Sequence, residues 1–359
     1  MLFRSVVTQT GYPGKTVSVD VEDEGRIVGS QQVTFPADGS PATARVRATA
    51  TEAGPRTFKF KVSPQPDEVV AQNNVRDALI DVRDNREKIL YFEGEPRFEM
   101  KFLRRAVVDD KNLSVIALQR TADNKFLRIG VEGPDELLGG FPKTREELFA
   151  YRALILGSVE AAAFTPDQLR MIADFVSKRG GGLLMLGGRR SFDEGGWAGT
   201  PVGEALPVVM ENGNGRKSAA YFSGLFAPRP TKAGESSPVT QIAESEARSV
   251  ERWNEMPDVS AVNPIHAVKP GATILLHGID KQKNDQVVLA WQRYGRGKAV
   301  AMPIQDSWAW RMDAKVAVED TTHATYWRRL ARWLVDAVPD LVNVSTTQDR
   351  VEPGEAVKV

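Results

Sequence analysis

The sequence predicts an α/β domain on a doubly wound, mostly parallel sheet, preceded by an all-β sandwich. Three observations predict it. Up to about Asp84, apolar residues alternate with period two. From Lys88 onward, short apolar runs without alternation appear, separated by helical patterns, as expected of strands buried on both faces. One of these runs, Leu183-Leu184-Met185-Leu186, drops straight into Gly187-Gly188 and is followed by Arg189-Arg190-Ser191. That is the pattern of a buried strand ending in a tight turn, where main-chain N–H groups face a ligand.

The elements follow in order. Alternation marks Lys15-Thr16-Val17-Ser18-Val19-Asp20-Val21, Ala44-Arg45-Val46-Arg47-Ala48, Thr57-Phe58-Lys59-Phe60-Lys61-Val62 and Ala78-Leu79-Ile80-Asp81-Val82. Turn residues stand between them at Pro13-Gly14, Asp38-Gly39, Ala53-Gly54-Pro55 and Asn73-Asn74. About six short strands at this spacing predict an immunoglobulin-like sandwich over residues 1–85. The α/β domain, residues 86–340, opens with the strand Ile89-Leu90-Tyr91-Phe92. Glu93-Gly94-Glu95-Pro96 then turns the chain, and Pro96 suits the first position of a helix whose apolar face is Phe98, Phe102, Leu103, Ala106 and Val107. Two further strands are expected at Leu113-Ser114-Val115-Ile116-Ala117-Leu118 and Ala153-Leu154-Ile155-Leu156.

Thr165 caps the clearest helix, with Pro166 at its first position and Gln168 closing a capping box. Leu169, Ile172, Phe175 and Val176 form its apolar face, and Gly180 ends it. Residues 212–263 break the rhythm with Gly, Ser, Pro and charge, and carry isolated aromatics at Tyr221, Phe222, Phe226 and Trp253. They read as an insertion that packs beside the sheet or covers its ligand edge. Strands resume at Thr273-Ile274-Leu275-Leu276-His277 and Gln286-Val287-Val288-Leu289-Ala290-Trp291. The turn Tyr294-Gly295-Arg296-Gly297 leads into Lys298-Ala299-Val300-Ala301-Met302, predicting a hairpin at the sheet edge. A last helix, from about Thr322 to Val338 with Asp320 or Thr321 as cap, carries Tyr326, Trp327, Leu330, Trp333 and Leu334 at helical spacing. The final Pro353-Gly354-Glu355-Ala356-Val357-Lys358-Val359 mirrors Pro13-Gly14-Lys15-Thr16-Val17-Ser18-Val19. Residues 341–359 are therefore expected to begin a further β domain of a longer protein.

Composition narrows the chemistry. Lys+Arg and Asp+Glu are both 47 of 359 residues, so no net charge draws the chain to nucleic acid, and none is expected as a partner. The absence of cysteine excludes disulfides, thiolate metal sites and cysteine nucleophiles. His266, His277 and His323 are far apart and lack metal-ligand spacing, so neither a metal nor another cofactor is expected. No apolar run is long enough to span a membrane.

The segments 88–107, 151–192 and 295–334 together resemble the class I glutamine amidotransferase-like superfamily. The likeness is to the glutamine amidotransferase domains of large bacterial cell-envelope proteins, in which a β-sandwich precedes a flavodoxin-like domain. It implies a soluble segment of a membrane-anchored envelope protein; a cytoplasmic setting is the alternative. It also implies where catalysis would sit: a cysteine in the elbow after a strand, and a histidine and a glutamate after a late strand. Here the elbow position falls near Gly188 or Arg189, and the late strand runs into Ile304-Gln305-Asp306-Ser307-Trp308 with no histidine. The family's thiolate mechanism is not available to these residues.

In a doubly wound sheet, ligands bind beyond the carboxyl ends of the strands. Loops 93–97, 187–193 and 305–310 are expected to meet there, gathering Glu93, Arg97, Gly187, Gly188, Arg189, Arg190, Asp193, Gln305 and Trp308 as ligand-binding candidates. The bland alternative has Glu93 and Arg97 pairing at the helix start, and Arg189 and Arg190 pairing with Asp193 and Glu194. Trp308 and Trp310 are expected on a strand end, one inward and one outward. The preferred functional expectation is a non-catalytic module that binds a protein, peptide or glycan. The alternative is a divergent amidotransferase or hydrolase using Ser191, with His323 as its base, or Asp306, or a metal held by carboxylates.

Overall fold

The computed structural model describes residues 2–339 apart from 51, 67, 69, 83–85, 124, 211–224, 261–262, 264, 266 and 280–284. The expected β domain at 341–359, Tyr221, Phe222 and His266 lie outside the described residues. The chain divides into two compact units, Met1–Asn85 and Arg86–Val359.

The first unit is all β. Strands β3 (Arg26–Thr34), β2 (Thr16–Asp23), β5 (Gly54–Val62) and β6 (Val75–Val82) form an antiparallel sheet in that order. Strands β1 (Leu2–Val7) and β4 (Ala42–Arg47) form a second, two-stranded one. Alternation does the work the sequence assigns to it: Val17, Val19, Val21, Ala42, Ala44, Val46 and Phe58 turn inward to a common core. At its margin, the buried Arg56 guanidinium grips both oxygens of Asp23 at 2.9 and 3.0 Å.

The second unit is built on one mixed sheet. Its centre is parallel: β16 (Gly297–Met302), β11 (Gly182–Leu186), β10 (Ala153–Leu156), β7 (Glu87–Glu93) and β8 (Leu113–Ala122), in that spatial order. Their side chains divide between two cores, one on each face. Ile89, Tyr91, Ile155, Leu184, Leu186 and Met302 pack with α1 (Phe98–Val107), α6 (Glu246–Glu255) and α8 (Thr322–Val335). Leu90, Phe92, Leu154, Leu156, Leu183 and Met185 pack with α2 (Arg145–Phe149), α3 (Pro166–Ser177) and α4 (Pro201–Ala205), and a short α5 (Lys232–Glu235) precedes α6. Burial on both faces explains the unbroken apolar runs. Helix α3 is capped as its sequence prescribes: Thr165 Oγ1 accepts the Gln168 N–H, and the Gln168 side chain accepts the Thr165 N–H at 3.0 Å.

Four elements differ from the sequence expectation. The hairpin β15 (Asp285–Tyr294)–β16 lies inside the sheet, not at its edge, because β16 pairs with β11 and β15 pairs with β14 (Thr273–Ile279). The expected insertion supplies β12 (Leu225–Pro230), which pairs antiparallel with β14 and extends the sheet to β13 (Val259–Ser260). The opposite edge is β9 (Lys125–Ile129), antiparallel to β8. Helix α1 starts at Phe98, with Arg97 rather than Pro96 at the boundary. Its buried face is Glu99, Met100, Leu103, Ala106 and Val107, while Phe98 is 62% exposed.

Candidate functional site

The register aligns the carboxyl ends of the parallel strands. Phe92 pairs with Leu156, Leu156 with Met185, and Leu186 with Met302. Glu93, Gly157, Gly187 and Pro303 therefore emerge along one edge.

Glu93 anchors the first loop from inside, with no exposed surface. Its carboxylate accepts the Tyr91 hydroxyl at 2.8 Å, the Ser158 N–H at 2.8 Å and the Arg97 guanidinium at 2.9 Å. The same guanidinium donates to the Gly187 carbonyl at 2.5 Å, tying the first loop to the elbow. Burial opposes the charge of Arg97, yet Glu93 beside it holds the guanidinium firmly protonated. Burial and the neighbouring Glu93 push the Tyr91 hydroxyl far up, so it stays a donor. A β-carbon on Gly157 would collide with the Glu93 carboxylate, so the glycine makes room for this ion pair.

The elbow is equally closed on itself. Gly188 donates its N–H to Asn263 Oδ1 at 2.9 Å, and Asn263 Nδ2 returns bonds to the Gly188 carbonyl at 3.2 Å and Glu194 at 2.6 Å. The Arg190 N–H donates to Ser158 Oγ at 3.1 Å. A β-carbon on Gly188 would lie 2.5 Å from Ser158 Cβ, and one on Gly187 would lie 2.6 Å from the Pro303 backbone. The tight turn is thus demanded by packing. Ser191 is fully buried and donates its hydroxyl to the Gly157 carbonyl at 3.2 Å. Phe192, next to it, holds φ at +51°, an uncommon backbone for an aromatic residue.

The third loop meets α1. The Ser307 hydroxyl, with no exposed surface, donates to Glu99, accepts the Trp327 indole N–H at 3.0 Å and lies 3.5 Å from His323 Nε2. Glu99, 1% exposed, also accepts the Trp308 N–H at 3.3 Å. Burial raises the Glu99 carboxyl to about 7, against the lowering effect of the Ser307 hydroxyl and of Arg97. Burial, aided by Arg311, lowers His323 to about 4. Asp306 is also raised by burial, and its two oxygens accept the Ser260 N–H at 3.0 and 2.9 Å. Trp308 is half-buried and forms a shelf with Phe98 and Phe102, at ring distances of 5.6 and 6.4 Å.

The expected residues therefore divide. Glu93, Arg97, Gly187 and Gly188 are drawn together at the edge but are occupied with one another. Arg189 and Arg190 are exposed. Arg190 pairs with Glu160 at 3.3 Å, which also binds Arg120, while Glu194 is held by Asn263. Asp193 is half-buried, its carbonyl accepting the Gly196 N–H. Gln305 is half-buried in the third loop. Ser191 and His323 have different partners, Gly157 and Ser307. Trp310 is fully buried and Trp308 is not, but the cause is the short helix α7 (Ala309–Met312), which Trp308 caps, rather than a strand end. Sequence reasoning missed Ser158, Asn263, Glu99 and Ser307. The buried face of α1 keeps Leu103, Ala106 and Val107 of the expected stripe but has Glu99 and Met100 in place of Phe98 and Phe102. Among the described residues, no group of three or more histidines and carboxylates could hold a metal, and no helix is long and apolar enough to cross a membrane.

No curated protein matches the chain. A solved cytoplasmic protein from Salmonella typhimurium LT2 is 19% identical, with a TM-score of 0.46 over 69% of this chain and 99% of that one. A second cytoplasmic protein from Salmonella typhimurium is 17% identical, with a TM-score of 0.47 over 69% and 98%. A β-galactosidase from Rahnella sp. R3 is 14% identical, with a TM-score of 0.39 over 73% of this chain and 32% of that one. Residues 134–336, more than half of the chain and including the elbow and the third loop, match the family described as "GATase1_like: Putative glutamine amidotransferase", and the chain belongs to that family.

Proposed function

We propose that this is a non-catalytic member of its family, a module that binds a peptide, protein or glycan for a larger envelope-associated protein. One observation carries the reading. The elbow N–H groups that would hold an oxyanion are already bonded within the protein, Gly188 to Asn263 and Arg190 to Ser158. An acyl-transfer site needs such donors free and an accessible nucleophile beside a base. Ser191 is buried against a carbonyl, and Asp306 is bonded to the Ser260 main chain. In this reading the α/β unit is a flavodoxin-like doubly wound domain with an antiparallel extension. Its parallel centre, with helices against both faces, supports that. The residues before Arg86 form an immunoglobulin-like sandwich, supported by two sheets sharing one core.

The ligand-facing part of the edge is the shelf of Phe98 and Trp308. Exposed aromatic faces suit apolar peptide side chains and the C–H faces of sugars. Binding of the purified protein to arrayed peptides and cell-wall glycans tests this. Capture that is lost in Trp308→Ala and Phe98→Ala supports the reading, and capture unchanged in both refutes the shelf as the site.

A further inference from the structure

We infer that the Glu99–Ser307–His323 chain is a proton-operated latch that holds loop 305–312, and with it the Trp308 shelf, against α1. The latch concerns the shelf described above but does not depend on any ligand.

The geometry carries the inference. Glu99 is a carboxyl shut away from water with no cation in hydrogen-bond contact among the described residues; its partners are the Ser307 hydroxyl and the Trp308 N–H. Arg97 acts on it only through space, because that guanidinium is committed to Glu93 and Gly187. The other groups that face Glu99 are Asp306 in the same loop, Tyr326 on α8 and Tyr91 on β7; none is a cation. Arg311 faces His323 and disfavours its charge.

Two hydrogen-bond arrangements are open to the chain, and only the first satisfies every member. With Glu99 protonated, its hydroxyl donates to Ser307 Oγ, the Ser307 hydroxyl donates to neutral His323 Nε2, and Trp327 adds its N–H to the same oxygen. With the proton lost to solvent, Ser307 turns its hydroxyl to the carboxylate and His323 loses its donor. The remaining anion is buried and unpaired, a costly state that water relieves. Water reaches it by displacing the loop that covers it. A carboxyl raised to about 7 places this change near neutrality. The latch holds at lower pH and loosens as pH rises.

Amide hydrogen exchange on the full chain, read by mass spectrometry and corrected for intrinsic exchange, tests it. Protection of peptides covering residues 304–312 is expected to fall about tenfold between about pH 6 and about pH 8, while β10 peptides stay unchanged. Glu99→Gln, which keeps the shape and cannot ionise, is expected to stay protected throughout. Ser307→Ala removes a bond that favours the anion and is expected to move the midpoint to higher pH. A merely structural serine would lower protection evenly, without moving the midpoint. Flat protection in the wild type, or the same fall in Glu99→Gln, overturns the latch. If the latch passes and no peptide or glycan binds, only the binding reading fails.

Discussion

Glu99 and His323 are joined through one residue, Ser307, and burial shifts them in opposite directions, so the sign of each effect can be worked out. Glu99 is raised to about 7 in the fold. Its contribution is fully present below the ordinary carboxyl range and is lost as pH climbs toward 7. His323 is lowered to about 4. Its contribution is present above the ordinary imidazole range and is lost as pH falls toward 4. Between those limits the two largely cancel. Glu99→Gln removes one side of the balance. Denaturant titration is expected to show the variant gaining on the wild type by roughly 3 kcal/mol more at alkaline than at acid pH, an upper bound from the size of the shift. Equal gains at both ends would mean that Glu99 is not the titrating group. Asn263→Ala is a sharper local test. It strands the Gly188 N–H and leaves the Gly188 carbonyl and Glu194 without their donor. A loss of about 2–3 kcal/mol is expected. At this scale the sequence was least legible. Gly187 and Gly188 announced themselves through a local apolar-to-glycine step. Asn263 did not, because its partner is seventy-five positions away. Glu99 hid because a carboxylate on an amphipathic helix is ordinarily assigned to solvent.

Elements were read more easily wherever their cause is local. The capping box of α3 lies within four consecutive residues, and both of its bonds form. Thr165→Ala is expected to cost about 1 kcal/mol in thermal or denaturant unfolding. A neutral outcome would show that α3 is held by its packed face alone. The strands β7, β10 and β11 were legible because burial on both faces writes an unbroken apolar run. The position of β15 and β16 in the sheet was not. A hairpin looks the same in sequence at an edge or in the interior, and only the pairing of β16 with β11 decides it. Strand β12, Leu-Phe-Ala-Pro-Arg-Pro, was hidden by its two prolines, Pro228 and Pro230. Proline suits strand margins, and here the sheet continues past it only to the two-residue β13. The start of α1 moved because Arg97 is stretched between Glu93 and Gly187, and that tie keeps its backbone extended at φ −137°.

At the scale of the whole molecule, the ends of the parallel strands carry loops that are bonded to one another, Arg97 to Gly187 and Gly188 to Asn263. The chain belongs to the family described as "GATase1_like: Putative glutamine amidotransferase", yet it has no cysteine, and the Gly188 and Arg190 amides bind its own side chains. The turn's shape is maintained by Ser158 and the Pro303 backbone, which press on the two glycines, and by Asn263, which is hydrogen-bonded to Gly188. The proposed binding role would use the aromatic shelf of Phe98 and Trp308. The most direct test is release of glutamate from glutamine, with an ester substrate in parallel, by the purified full chain. The account predicts no release above the uncatalysed rate, in wild type and in Ser191→Ala and Asp306→Ala alike. Turnover in the wild type that disappears in either variant would contradict it.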